Sequence, residues 1–116
     1  MKTPTHAPVY LSLYPSLSEI ANQHGYALTV HGSLVSDFDL VAIPWTPDAV
    51  SALTLVIAIA DYVSLICGAN HDLAPIVEPE QKPHGREAWS IPMGAGSVID
   101  LSVMPRRVGR GGMIMG

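Results

Sequence analysis

Two acidic residues separated by one position stand within an apolar stretch of the chain, Asp37-Phe38-Asp39-Leu40. Successive residues of a β-strand point to opposite faces of a sheet, so we expect Asp37 and Asp39 on one face and Phe38 and Leu40 in a core. Neighbouring carboxylates repel each other, and each raises the pKa of the other. Hard cations such as Mg²⁺ bind carboxylate oxygens and relieve that repulsion. The pattern predicts a metal site, and the alternative is a solvated strand edge.

A third acid, Asp100, stands within a second strand-like segment, Ser97–Val103. Ile99, Leu101 and Val103 alternate with it and form an apolar face, whereas aspartate is disfavoured in strands. If this segment lies beside the first strand, Asp100 joins Asp37 and Asp39. Three carboxylates can hold two metal ions about 3.5–4 Å apart, the arrangement used for in-line phosphoryl or nucleotidyl transfer.

A Gly32-Ser33 pair precedes the two neighbouring acids. Glycine allows the backbone to approach a phosphate closely, and the serine adds a hydroxyl donor. The pair is therefore a candidate for binding nucleotide phosphates, and the alternative is an ordinary turn.

The segments HGS, SDFDLVAIPW and VIDLSV together resemble the nucleotidyltransferase-like superfamily of the polymerase-β type. The chain is also similar to small phage-encoded proteins described as nucleotidyltransferase-like, and the resemblance covers Leu28 to Pro105. It implies an enzyme that uses Mg²⁺ or Mn²⁺ and takes an NTP as donor substrate. By this resemblance, Asp37 and Asp39 would bind both metals, and Asp100 would bind one metal and activate an acceptor hydroxyl. Gly32 and Ser33 would hold the triphosphate.

The chain departs from the superfamily in the connection between Gly32-Ser33 and the acids, where only Leu34, Val35 and Ser36 intervene. The basic residue that usually follows the glycine and serine is also missing. Arg86 is the predicted substitute as a phosphate ligand, with Arg106 or Arg107 as alternatives. Two functions stay open: an active nucleotidyltransferase, and a catalytically weak or inactive module of the same fold that acts through a protein partner, as an antitoxin or regulator.

The pattern of apolar residues, caps and breakers predicts a single α+β domain over residues 1–104, with a mixed or antiparallel sheet packed by two helices. Residues 105–116 are predicted to be a mobile, basic and glycine-rich tail. The predicted elements are a helix from Pro15 to Gly25, strands Tyr26–His31 and Asp37–Ile43, a helix from Thr46 to Cys67, a loop over 68–85, and strands Glu87–Pro92 and Ser97–Val103, joined by a turn at 93–96.

The composition is acidic and poor in charge, with a net charge of −4 and 14% charged residues. General nucleic-acid binders need a basic surface, so nucleic acid is disfavoured, although it stays open as an acceptor. Scarce charge and the apolar helix over 49–67 predict a homo-oligomer or a protein partner. Asp61 within that helix argues against a membrane span. The single cysteine, Cys67, suits a reducing compartment such as the cytoplasm.

Overall fold

The computed structural model describes residues 7–34, 37–67, 79–94 and 97–106, which form an α+β fold. Two helices pack on one face of a five-stranded mixed sheet, which confirms the predicted fold class at this level. The elements are α1 Ala7–Gln23, β1 Tyr26–His31, β2 Asp37–Pro44, α2 Ala52–Cys67, β3 Glu80–Gln81, a 3-10 turn Pro83–Gly85, β4 Glu87–Gly94 and β5 Ser97–Val103.

The strand order across the sheet is β1-β2-β5-β4-β3. β2 and β5 run parallel, and the other neighbouring pairs run antiparallel. The two strands that carry the acids are therefore direct neighbours at the centre of the sheet, as the site hypothesis requires.

The hydrophobic core lies between the helices and one face of the sheet. Along β2 the buried residues are Phe38, Leu40 and Ala42, and the residues between them are more exposed. The Phe38 ring stacks on Tyr10 of α1, with centroids 4.7 Å apart and an interplanar angle of 12°. This alternation places Asp37 and Asp39 on the opposite, open face of the sheet.

Helix α1 begins at Ala7, so the predicted start near Pro15 is wrong. An interior proline removes a helical hydrogen bond and is unfavourable by about 3 kcal/mol. Here Pro15 is exposed, and the buried stripe of Tyr10, Leu13 and Leu17 runs past it on the core side. Burial of this stripe outweighs the cost of the proline. Local sequence signals indicate only that proline breaks helices, because they do not include this burial. The helix ends before Gly25, whose φ of +90° suits glycine.

Helix α2 begins at Ala52, so the predicted start at Thr46 is also wrong. Residues 46–50 are held by tertiary hydrogen bonds instead: the Val50 amide donates to the His24 carbonyl, and the Tyr26 hydroxyl donates to the Val50 carbonyl. Ser51 is the actual cap, because its hydroxyl accepts the Thr54 amide at 3.2 Å. The predicted end at Cys67 is confirmed.

The predicted loop over 68–85 contains the short strand β3, which pairs with β4, so that prediction is wrong for its last part. Strand β4 extends to Gly94, two residues beyond the predicted end. The rest of the loop, at 68–78, the turn residues 95–96 and the tail from 107 lie outside the described residues. Neither helix in the described ranges is long and apolar enough to cross a membrane.

Candidate functional site

A row of four polar residues crosses the open face of the sheet in register. His31 of β1 pairs with Asp39 of β2, Asp39 pairs with Asp100 of β5, and Asp100 pairs with Ser90 of β4. Neighbouring strands lie about 4.8 Å apart. The two carboxylates are therefore side by side, with the imidazole on one flank and the hydroxyl on the other.

Asp37 shares this face but lies two residues before Asp39, opposite Val98. Two residues along a strand correspond to roughly 6.6 Å, so Asp37 is further from Asp100 than Asp39 is. In the part of the chain that the structure describes, no three His, Cys, Asp or Glu residues are grouped closely enough to hold a metal ion as they stand. The site is therefore a close pair of acids with a third acid at its edge.

The pKa of Asp39 is raised above its ordinary value, first by burial and then by the negative charges of Asp100 and Asp37. The nearby His31 acts in the opposite direction. The ion pair found within the described ranges, between Lys82 and Glu80, involves none of these acids. Asp39 thus carries a negative charge that its surroundings oppose, and a bound cation would relieve this.

Gly32 lies directly against the Asp39 carboxylate. A Cβ added to this glycine would collide with the Asp39 Oδ2 atom, and the backbone adopts a φ of +77°, which favours glycine. The adjoining Ser33 is exposed at the end of β1. The predicted phosphate turn is therefore brought to the β1 side of the acid pair.

Arg86 lies on the other side of the acid pair. Its Nη1 atom donates a hydrogen bond of 2.8 Å to the Ser102 hydroxyl, two residues along β5 from Asp100. Arg106 instead reaches the Ala49 carbonyl at 3.4 Å and lines a cavity next to the core residues Tyr26 and Trp89, so it is not part of the open face. Arg107 lies outside the described residues.

Three polar residues of the open face do not stand out in the sequence: His31, Ser90 and Ser102. Strand alternation already places Ser102 on the face of Asp100. Only the pairing of His31 with Asp39 and of Ser90 with Asp100 shows that the other two lie beside the acids. The short connection between β1 and β2 is the one sequence signal that could have predicted that His31 lies beside the acids, because short connections join antiparallel neighbours.

The raised pKa of Asp39 predicts a pH-dependent effect on stability. An acid whose folded pKa lies above its unfolded value contributes stability at low pH and loses it as pH rises through the folded pKa. In metal-free protein we therefore expect Asp39→Asn to raise Tm at pH 7, on the order of a few degrees. The gain should shrink as pH falls towards 3.8, the ordinary value for this group. Calorimetry between pH 7 and pH 3 in EDTA measures it.

The matched control for that experiment is Asp61→Asn, which removes an exposed carboxylate from α2. It accounts for the change in net charge alone. An Asp39→Asn protein less stable than the wild type at pH 7 would contradict the electrostatic account of the pair.

The chain was compared with protein-family models, with curated proteins and with solved structures, and none of the three comparisons found a match.

Proposed function

We propose that this chain is a metal-dependent nucleotidyltransferase, which moves a nucleotidyl group from an NTP to an acceptor hydroxyl. The observation that carries the proposal is the direct pairing of Asp39 with Asp100 across two parallel strands, with Asp37 on the same face. The sequence segments that hold these acids, SDFDLVAIPW and VIDLSV, also resemble the polymerase-β-type superfamily, and this resemblance is part of the basis of the proposal.

The donor set suits a hard divalent cation. Asp39 and Asp100 offer carboxylate oxygens, which Mg²⁺ and Mn²⁺ prefer. Asp37 is exposed, so its side chain can turn towards the other two acids when a cation binds. This rotation of the Asp37 side chain is required for a three-carboxylate site, because the described residues do not group three such ligands as they stand.

The ion would neutralise the charge that develops on the transferred phosphate. Gly32 and Ser33, on the β1 side, would approach the donor phosphates through backbone amides and a hydroxyl. Asp100 would accept the proton of the acceptor hydroxyl. The acceptor oxygen then forms a bond to the α-phosphorus, and the bond from that phosphorus to the pyrophosphate leaving group breaks.

A second function is a module of the same fold that acts through a protein partner with little or no catalysis. The exposed apolar end of α2 favours it, since Leu65 is 80% exposed and Ile66 is 53% exposed. Apolar side chains exposed together are typical of surfaces that partners cover.

The binding of metal and nucleotide separates the two functions. At 100 times its Kd, a ligand stabilises a protein by about 2.7 kcal/mol, which raises Tm by about 10 °C in a domain of this size. We expect such a rise with at least one NTP together with Mg²⁺ or Mn²⁺, and little with the NTP in EDTA. Pyrophosphate release during incubation with candidate acceptors then tests transfer. No rise with any of the four NTPs and either metal would reject the enzymatic proposal.

A further inference from the structure

A polar pocket of about 360 Å³ lies on the open face, on the β4 side of the acid pair. Its wall is formed by Asp100, Ser90, Ser102, Arg86, Lys82, Glu80 and Ala88. The pocket therefore shares one carboxylate with the proposed metal site. It lies across the pair from Gly32, whose backbone contacts Asp39.

A tight turn positions the two basic residues of this pocket. The Lys82 amide donates to the Arg86 carbonyl at 2.8 Å, and the Arg86 amide donates to the Pro83 carbonyl. His84 and Gly85 complete the turn with φ angles of 66° and 78°. Lys82 and Arg86 thus flank one closed loop, and both side chains line the same pocket.

The charges of these two residues are compensated differently. Lys82 Nζ lies 3.1 Å from a carboxylate oxygen of Glu80, which also lines the pocket and whose side chain is 71% exposed. For Arg86, the described residues provide no carboxylate within ion-pair distance, and its side-chain hydrogen bond goes to the neutral hydroxyl of Ser102. Ser102 is only 8% exposed, so the guanidinium is anchored on a buried group.

We infer that this pocket binds a phosphate group of the acceptor substrate. A planar guanidinium, an ammonium and a serine hydroxyl offer donors from several sides, which suits a tetrahedral phosphate. The assignment to the acceptor rests on the proposed nucleotidyltransferase function, because Asp100 then faces the acceptor hydroxyl. Arg86 would bind the acceptor in this arrangement, and not the donor phosphates predicted from sequence.

The spacing limits the acceptor class. Asp100 and Ser102 lie two residues apart along β5, which is roughly 6.6 Å. A hydroxyl beside Asp100 and a phosphate beside Arg86 must span about that distance. The volume suits a small molecule. A small phosphorylated alcohol, such as a sugar phosphate, satisfies both conditions.

The test measures binding of inorganic phosphate and of glucose 6-phosphate to the full chain by calorimetry in EDTA, so that no metal contributes. We expect the wild type to bind both and Arg86→Gln to bind at least about 10-fold more weakly, since hydrogen bonds to charged groups are strong. Arg106→Gln, the same change on the helix side of the sheet, should bind like the wild type. Ser102→Ala, which leaves the arginine but removes its anchor, should weaken binding less than Arg86→Gln.

The outcomes separate this inference from the proposed function. Wild-type protein that binds neither probe, or Arg86→Gln with unchanged binding, overturns the phosphate pocket even if NTP and Mg²⁺ raise Tm. Phosphate binding that depends on Arg86, without any response to NTP and metal, supports the pocket but overturns its assignment to an acceptor. If Arg86→Gln fails to fold, an unchanged affinity in Ser102→Ala and in Lys82→Gln would overturn the inference.

Discussion

Replacing Asp39 with asparagine should abolish the rise in Tm that NTP and Mg²⁺ produce, a loss of about 10 °C at saturating nucleotide. Asp39 lies next to Asp100 on one side and against Gly32 on the other. Asparagine has nearly the same shape but supplies no negative charge for the cation. The rate of nucleotidyl transfer should fall by about 10²–10³, the range seen when one preorganised electrostatic group is removed from an active site.

The first control for this prediction is the stability of Asp39→Asn without metal. Asp39→Asn is expected to be at least as stable as the wild type at pH 7, so a lost response cannot be attributed to unfolding. Asp61→Asn should keep the full response, because Asp61 is exposed on α2, on the other side of the sheet. Asp100→Asn should lose most of the response, and the double variant little more than either single one, since residues that act as a unit are not additive. A full response in Asp39→Asn would reject the metal site.

Replacing Phe38 with alanine should lower the free energy of unfolding by about 3–5 kcal/mol, the usual cost of removing a buried aromatic side chain. Phe38 is fully buried, and its ring stacks on Tyr10 at 4.7 Å. That contact joins β2 to α1 at the position between Asp37 and Asp39. A domain of ordinary stability has about 5–15 kcal/mol in total, so this single change removes a large part of it. Urea denaturation followed by circular dichroism measures the loss.

Phe38→Leu is the conservative partner of that variant. It keeps an apolar side chain in the core and should cost less than about half as much as alanine. Metal and nucleotide should also stabilise Phe38→Ala, because its acids are retained. A loss below about 1 kcal/mol in Phe38→Ala would mean that the stacked pair is not an important part of the core.

The bounds of β1, β2 and β5 follow closely from local patterns in the sequence, whereas β3 and the end of β4 do not. Strands β1 and β5 match the predicted bounds, and β2 ends one residue later than predicted. In β2, Phe38 and Leu40 alternate with the two acids. This alternation by itself predicts a strand with one buried and one open face, because successive strand residues point to opposite faces.

The starts of both helices could not be read from local signals. Pro15 looks like a helix start, and Thr46-Pro47-Asp48 looks like another. Packing of Tyr10 and Leu17 allows α1 to continue through the proline. Hydrogen bonds of Val50 with His24 and Tyr26 hold the segment before α2 in a different conformation. In both places, contacts with distant residues outweigh a preference worth a few kcal/mol.

The sequence by itself determined which face of its strand each acid occupies, because that depends only on alternation within a few residues. Tertiary structure alone decided that β2 and β5 are parallel neighbours and that Asp39 pairs with Asp100 rather than with Val98 or Ser102. More than fifty residues separate the two strands in the chain. Their register depends on the packing of the shared core, since a slip by one residue would turn Leu101 to the open face and Asp100 into the core.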